Sequence, residues 1–313
     1  MLENTKIVYV FLYVADMKRS RDFFESTLGL RVLEEDDDAV KYDCGGLILA
    51  LNRAQQFGVP VSAGPDDTSI LVFHTDQIHE LRSALEKRGL QFSGPTFDSH
   101  VGAIANFYDP DGHSFSLYQA NDWARTRESW KRITTILNAD FSAAGLPSPP
   151  ANQPLEQVGL GASRIVYMFL FIRNFDEGRE YFEKKLGLEA VEVTTFAGVC
   201  KYDMGSFLLS THEIHAEEGA KATLEGLTRP RTSSPVFWVG NFDDTYKALK
   251  EAGAKPTAAS TVRIGKLCQI ADPSGHTFYV YEPSLEALAW PSGAKIRRVL
   301  SVSQALTAPG SPG

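Results

Sequence analysis

No apolar run in this chain approaches the ~18 residues that a membrane-crossing helix needs. Its start also lacks the basic stretch and apolar core of an export signal. Cysteine is scarce: Cys44, Cys200 and Cys268 are odd in number and without CxxC spacing, so neither a disulfide scaffold nor a thiolate metal site is expected. A basic excess is missing too. With 31 Lys and Arg against 39 Asp and Glu, the net charge of −8 argues against nucleic acid, whose phosphates demand clustered cations. There is no phosphate-cradling glycine loop, no nucleophile elbow, and no Ser/His or Cys/His pair legible from spacing. These absences leave a cytoplasmic globular protein whose partner is a small-molecule ligand or substrate, with no nucleic acid and no membrane.

What is present is a sentence written twice. Ile7-Val8-Tyr9-Val10-Phe11-Leu12-Tyr13-Val14, followed by Arg21, Phe24, Glu25 and Leu28-Gly29-Leu30, returns as Ile165-Val166-Tyr167-Met168-Phe169-Leu170-Phe171-Ile172 with Arg179, Phe182, Glu183 and Leu186-Gly187-Leu188. Lys41-Tyr42-Asp43 returns as Lys201-Tyr202-Asp203, and Asp109-Pro110-Asp111-Gly112-His113 as Asp272-Pro273-Ser274-Gly275-His276. A repeat this long means two homologous halves, each able to bury a core, and not a solenoid.

Each half divides again. In the first, an apolar run at 7–14 precedes a helical pattern from Asp16 to Leu28 closed by Gly29; short strands follow near 31–34, 39–43 and 46–51. Ser69–Thr75 is the next strand. Ile78–Arg88 reads as an amphipathic helix, and strands near 103–108 and 113–119 flank the Asp-Pro-Asp-Gly turn. The pattern is β-α-β-β-β, twice per half. Asn121–Ala139 reads as one helix with Trp123, Trp130, Ile133 and Leu137 on a stripe. Leu146–Pro154 reads as a stiff Pro-rich linker. The segment after Glu282 reads as a tail, disordered over Ala305–Gly313. The expected boundaries are 1–120 and 163–284 for the two domains, 121–162 for helix and linker, and 285–313 for the tail.

Four β-α-β-β-β units, Leu-Gly-Leu at the helix ends and Asp-Pro-x-Gly before a last strand together resemble the vicinal oxygen chelate superfamily. That group includes glyoxalase I, bleomycin-resistance proteins and extradiol dioxygenases. The resemblance implies an α+β chain of two tandem glyoxalase-like domains, each a curved mixed sheet forming a cup covered by helices, with the ligand inside. Strand alternation then turns Tyr9, Phe11 and Tyr13 inward and Val8, Val10, Leu12 and Val14 toward the helices, and likewise Tyr167, Phe169 and Phe171 inward in the second domain.

Metal-dependent relatives supply His, Gln or Glu from four strand positions. Here those positions carry Tyr9, Ala50, Ser69 and Ser116, then Tyr167, Ser210, Ser233 and Tyr279. None suits a divalent ion that prefers imidazole or carboxylate. No metal and no cofactor are therefore expected, and ring cleavage at an iron centre is rejected. The expected ligand-binding residues are Tyr9, Phe11, Tyr13, Ser69, Phe73, Ser116, Tyr118, Tyr167, Phe169, Ser210, Ser233, Phe237, Tyr279 and Tyr281, with Tyr9, Phe11, Ser69, Phe73, Ser116 and Tyr118 sharing one cup. Proton-transfer candidates are His74, His100, Tyr9 and Tyr167. His113 and His276 read as turn-edge side chains, and His212 with His215 as a surface loop. Lys41/Asp43 and Lys201/Asp203 read as ion pairs along one strand face, with the Tyr opposite. The function that follows is metal-independent binding of an aromatic or partly apolar molecule, as in resistance proteins; the alternative is a metal-free lyase, isomerase or cyclase. Four modules in one chain suggest a pseudo-twofold monomer.

Overall fold

The structure is a computed structural model that describes residues 2, 5–61, 64–142, 153–215 and 224–307. The first module holds β1 (Lys6–Val14), β2 (Val32–Glu35), β3 (Ala39–Asp43) and β4 (Ile48–Arg53); the second holds β5 (Asp66–His74), β6 (Phe97–Ser99), β7 (Gly102–Tyr108) and β8 (His113–Ala120). The third comprises β9 (Arg164–Ile172), β10 (Ala190–Thr194), β11 (Val199–Asp203) and β12 (Leu208–Glu213); the fourth comprises β13 (Ser233–Trp238), β14 (Ser260–Val262), β15 (Gly265–Ala271) and β16 (Thr277–Pro283). In every module a helical segment follows the first strand, as the repeat implied. Two eight-stranded mixed sheets result, neither closed into a barrel.

Which modules pair is the main departure from the expected layout. In each module the first strand lies at the edge of its own four strands, so its outer hydrogen-bonding groups need a partner. β1 finds β13, antiparallel, and β5 finds β9. One sheet therefore joins module one to module four, and the other joins module two to module three. Each cup is built across the two halves, not within one. Tyr9 and Phe11 consequently lie in a different sheet from Ser69, Phe73, Ser116 and Tyr118, so the six do not share a cup. The register of the joining strands slips once, at Val8 in β1 and at Val166 in β9. These bulges turn both valines toward the cup, against the simple alternation.

The outer faces carry the helices. Val10, Leu12, Met168 and Leu170 join Phe24, Leu85, Phe182 and Leu249 in one large buried core. Phe24 stacks on Tyr42 of one sheet at 5.6 Å and meets Phe115 of the other edge-on at 5.9 Å, so each half keeps a common core although its strands serve two sheets. The first helical segment is capped by the Asp16 carboxylate, which accepts from Arg19 N–H, and it ends at Gly29 with φ +76°. A Cβ at Gly29 would sit 2.5 Å from the Val158 carbonyl oxygen, so the backbone that returns from the interdomain segment requires glycine there.

Two further helical stretches differ from expectation. The single helix expected over 121–139 is broken at Thr126-Arg127 into Asp122–Arg125 and Glu128–Asn138, which leaves Trp123 exposed while Trp130 and Ile133 are buried. The expected tail folds into helices at Leu285–Ala289 and Pro291–Thr307. Pro and Ser suggested a breaker, yet Pro is favoured at the first position of a helix and Ser284 is an N-cap. Most of the Pro-rich linker, at 143–152, and residues 308–313 lie outside the described residues.

Candidate functional site

Each cup has an aromatic floor, and each is closed by a helix that follows the second module of a half, the interdomain helix in one case and the C-terminal helix in the other. In the first cup (β1–β4 with β13–β16), Tyr9, Tyr13, Ala50, Val236, Tyr279 and Tyr281 pack with Ile296 of the C-terminal helix. In the second (β5–β8 with β9–β12), Val72, Tyr118, Tyr167 and Leu208 pack with Trp130 and Ile133 of the interdomain helix. Phe11 and Phe169, at the centre of their strands, remain partly accessible.

A four-residue cluster secures each closing helix. In the second cup Lys201 Nζ lies 3.0 Å from both Glu192 Oε1 and Ser129 Oγ, and Ser129 N–H donates to Glu192 Oε2 at 3.1 Å. The first cup repeats it: Lys41 Nζ lies 2.5 Å from Glu34 and 3.3 Å from Ser292 Oγ, and Ser292 N–H donates to Glu34 at 2.9 Å. Each ammonium sits 5.8 Å from the ring of Tyr9 or Tyr167. One turn further along the helices, Lys295 pairs with Asp43 at 2.8 Å and Arg132 with Asp203 at 2.8 Å. The recurring Lys-Tyr-Asp is thus no intrastrand ion pair. Its Lys and Asp each hold the closing helix, while Tyr42 and Tyr202 fill the core behind.

The expected ligand residues divide. Tyr9, Phe11, Tyr13, Tyr279 and Tyr281 line the first cup; Tyr118, Tyr167 and Phe169 line the second, with Ser116 and Ser210 on its face by alternation. Phe73 and Phe237 do not belong: they face the helix-side core. Ser69 and Ser233 are also out of the cups, because their hydroxyls meet each other at 2.9 Å, buried where the halves join. The inward positions of β5 and β13 carry instead Ile70 and Ser234.

Of the proton-transfer candidates, His100 is exposed and stands edge-on to Trp123 at 5.5 Å, outside the second cup. His74 is buried beneath Trp130, 5.4 Å away, and burial lowers its pKa despite the nearby Asp76 carboxylate. Burial drives the Tyr9 and Tyr167 phenols well above their ordinary range, and Tyr118 up to about 12. His113 corrects the turn-edge reading. It is buried, bonded through Nδ1 to Asp109 at 2.6 Å and through Nε2 to the Thr232 carbonyl at 2.8 Å, and so ties module two to module four. His276 likewise reaches the Phe171 carbonyl at 2.8 Å.

His212 corrects the surface-loop reading. β12 extends to Glu213, and this carries His212 into the second cup beside Phe169 (4.6 Å between rings) and Phe171 (5.6 Å), with Ser210 Oγ 2.9 Å from Nε2. Part of the residue stays accessible, yet this enclosure, and then the Lys201 charge, push its pKa down to about 3. It is a neutral imidazole at any ordinary pH. A signal for the closing helices did exist: the register that aligns Asp109 with Asp272, carried forward, places Asn121 on Ser284, Ser129 on Ser292, Arg132 on Lys295 and Ile133 on Ile296.

Donor chemistry argues against a divalent ion in either cup. The inward set is Tyr9, Ala50, Ser234 and Tyr279 in the first, and Tyr167, Ser210, Ile70 and Ser116 in the second. These are alcohols, phenols and hydrocarbon; the one imidazole beside them, His212 in the second cup, is already bonded to Ser210 at 2.9 Å. Among the described residues no three His, Cys, Asp or Glu side chains gather as a metal-binding group.

Paired βαβββ modules with sheets curled around an inner face define a glyoxalase-like architecture. The family model described as Glyoxalase/Bleomycin resistance protein/Dioxygenase superfamily matches residues 6–117 and 164–280, and the chain belongs to that superfamily. Glyoxalase I from Zea mays is similar in structure at a TM-score of 0.61 and 12% identity, covering 95% of this chain and 96% of that one. A putative dioxygenase from Bacillus subtilis subsp. subtilis str. 168 gives 0.58 and 13%, covering 90% and 86%. At such identities the likeness is one of fold. No curated protein matches the sequence. Among the described residues no helix is long and apolar enough to cross a membrane.

Proposed function

We propose that this protein holds a small ring-bearing, largely apolar molecule inside a sheet cup without help from a metal ion, as a binding or resistance-type member of its superfamily. The carrying observation is the aromatic floor with a partly accessible phenylalanine at its centre, Phe11 or Phe169. Stacking and burial reward such a ligand whatever its detailed structure. The chemistry of the polar groups favours binding over proton transfer. A general acid or base works best with a pKa near the operating pH; here burial moves the tyrosines up and His212 down, away from neutrality on both sides.

The test is a thermal-shift and calorimetric screen of planar aromatic compounds, followed by mass spectrometry of whatever is bound. Ligand recovered unchanged, and binding weakened about tenfold or more in Phe11→Ala or Phe169→Ala, is the expected result. Conversion of the compound on the protein would favour the metal-free enzyme instead. Dialysis against a strong chelator should leave binding unchanged. If chelation abolishes it and one added ion restores it, metal independence is lost.

A further inference from the structure

Resting on the reading of the cups as ligand sites, we infer that the two cups have diverged and that the second takes an aromatic acid, a planar ring bearing a single carboxylate or equivalent anion. The argument begins with charge around the repeated lysine. In the first cup Lys41 is balanced by Glu34, and the neighbouring helix position carries the neutral Trp290, its ring 5.1 Å from the ammonium. In the second cup that position is Arg127, so Glu192 faces two cations, Lys201 at 3.0 Å and Arg127 at 3.4 Å. Elsewhere at this end Arg132 and Lys6 both face Asp203, and beside His74 Arg125 pairs with Asp76. His212 is neutral. Around the repeated lysine the second cup thus carries one positive charge more than the first.

Geometry aims that charge at the floor. An ammonium has three donors. Lys201 spends two, on Glu192 and Ser129, and among the described residues the third has no hydrogen-bond partner. Strand register sets Lys201 opposite Ser210, and Ser210 opposite Phe169. Two strand spacings thus separate the lysine backbone from that of the accessible phenylalanine, about 10 Å, which a fused bicyclic ring with a carboxylate can span.

Access differs in the same sense. Phe171 and His212 are partly accessible in the second cup. Their counterparts in the first, Tyr13 and Asn52, are buried, and the Tyr13 hydroxyl is already taken by that of Tyr279 at 2.9 Å. Phe169, Phe171 and the uncharged His212 offer ring faces on one side of the floor, with Lys201 two strands away.

The probes are 2-naphthoate and 2-naphthalenemethanol, which share a ring and differ in charge, measured by calorimetry on the full chain. Naphthoate should bind at least tenfold more tightly. Lys201→Met should erase that preference, and Glu192→Gln should enlarge it several-fold. Because the two substitutions move affinity in opposite directions, loss of fold cannot imitate the pair. Equal affinity for the two probes, a preference that survives Lys201→Met, or one erased by Lys41→Met instead, would overturn the inference while leaving the aromatic-cup reading intact. Failure of both probes to bind would overturn both.

Discussion

The two cups share a skeleton and differ in what was written on it. Both have a tyrosine under the lysine, a phenylalanine at the centre of the floor, and a Ser-x-x-(Lys/Arg)-Ile helix laid across the opening. The first closes more tightly. Its helix carries Gly293 where the second has Trp130, and an added Cβ at Gly293 would lie 2.4 Å from the Leu288 carbonyl oxygen. Its hydroxyls bond one another, and its pairing cation Lys295 is almost wholly enclosed. The second closes through the bulk of Trp130 and leaves a neutral histidine and two phenylalanines partly open. Closure is thus the duplicated feature, and the lining is where the halves have separated. One cup has become more structural, the other more receptive.

The largest test of that contrast lies in the closing helices. Trp130→Ala should remove about 3–5 kcal/mol by leaving a cavity under the interdomain helix. Gly293→Ala should destabilise for the opposite reason, by about 1–3 kcal/mol of overpacking. Urea denaturation measures both. A small fluorescent apolar dye that enters the Trp130→Ala protein but not the Gly293→Ala protein would confirm the difference in kind. If Gly293→Ala is silent, glycine is not required where the C-terminal helix meets the Leu285–Ala289 helix.

Next come the ion pairs. Lys295 is 2% exposed in its side chain and also donates to the Phe141 carbonyl, whereas Arg132 is 13% exposed. Removing one partner of a buried pair strands the other, at about 3 kcal/mol; the somewhat more open Arg132–Asp203 pair, which is also tied to the Gly205 carbonyl, should lose less. Lys295→Met should therefore lower stability more than Arg132→Met. Equal losses would mean that the cups are held alike.

A pH effect of similar or smaller size belongs to His113. Burial would lower its pKa, but the Asp109 carboxylate 2.6 Å away, the Thr232 carbonyl and Asp66 together outweigh this and raise it to about 9. A pKa raised on folding gives stability that is complete below the unfolded value of about 6.5 and is lost as pH climbs through 9. The shift corresponds to something on the order of 3 kcal/mol. His113→Gln should flatten that alkaline limb in stability measured from pH 6 to 10. An unchanged slope would remove His113 from the link between modules two and four.

These contrasts also show how far the residues alone could lead. Repeats and alternation expose local order, so the four modules, their turns and the aromatic inner face of β1 and β9 were legible. Module pairing was not, since every first strand has the same apolar, β-rich character and nothing in β1 names β13 over β5. The interdomain helix was legible, but its C-terminal counterpart, and the closing role the two share, were hidden for a different reason. Ser, Ile, a cation, Leu137/Leu300 and Ile136/Val299 recur between them, while Trp130 and Gly293, which stand at the same position, have no resemblance. His212 was misplaced because a histidine followed by Glu213 looks like a loop when the cross-strand neighbours Phe169 and Phe171 are far away in sequence.

The smallest test sits where the two halves are still identical. Ser69 and Ser233 are symmetry counterparts, both buried, and their hydroxyls bond each other at 2.9 Å. Replacing either one by Ala strands a buried hydroxyl, which costs about 1 kcal/mol. Replacing both leaves no unsatisfied group, so the double variant should be less destabilised than the sum of the singles, with a coupling of roughly 0.5–1 kcal/mol. The single variants should also match each other, because each removes the same half of one symmetric contact. That equality is the useful part. Every comparison above concerns places where the halves have diverged; here the expectation is sameness, and denaturation midpoints that differ by much more than their error for Ser69→Ala and Ser233→Ala would show that the asymmetry of the cups reaches the seam between them.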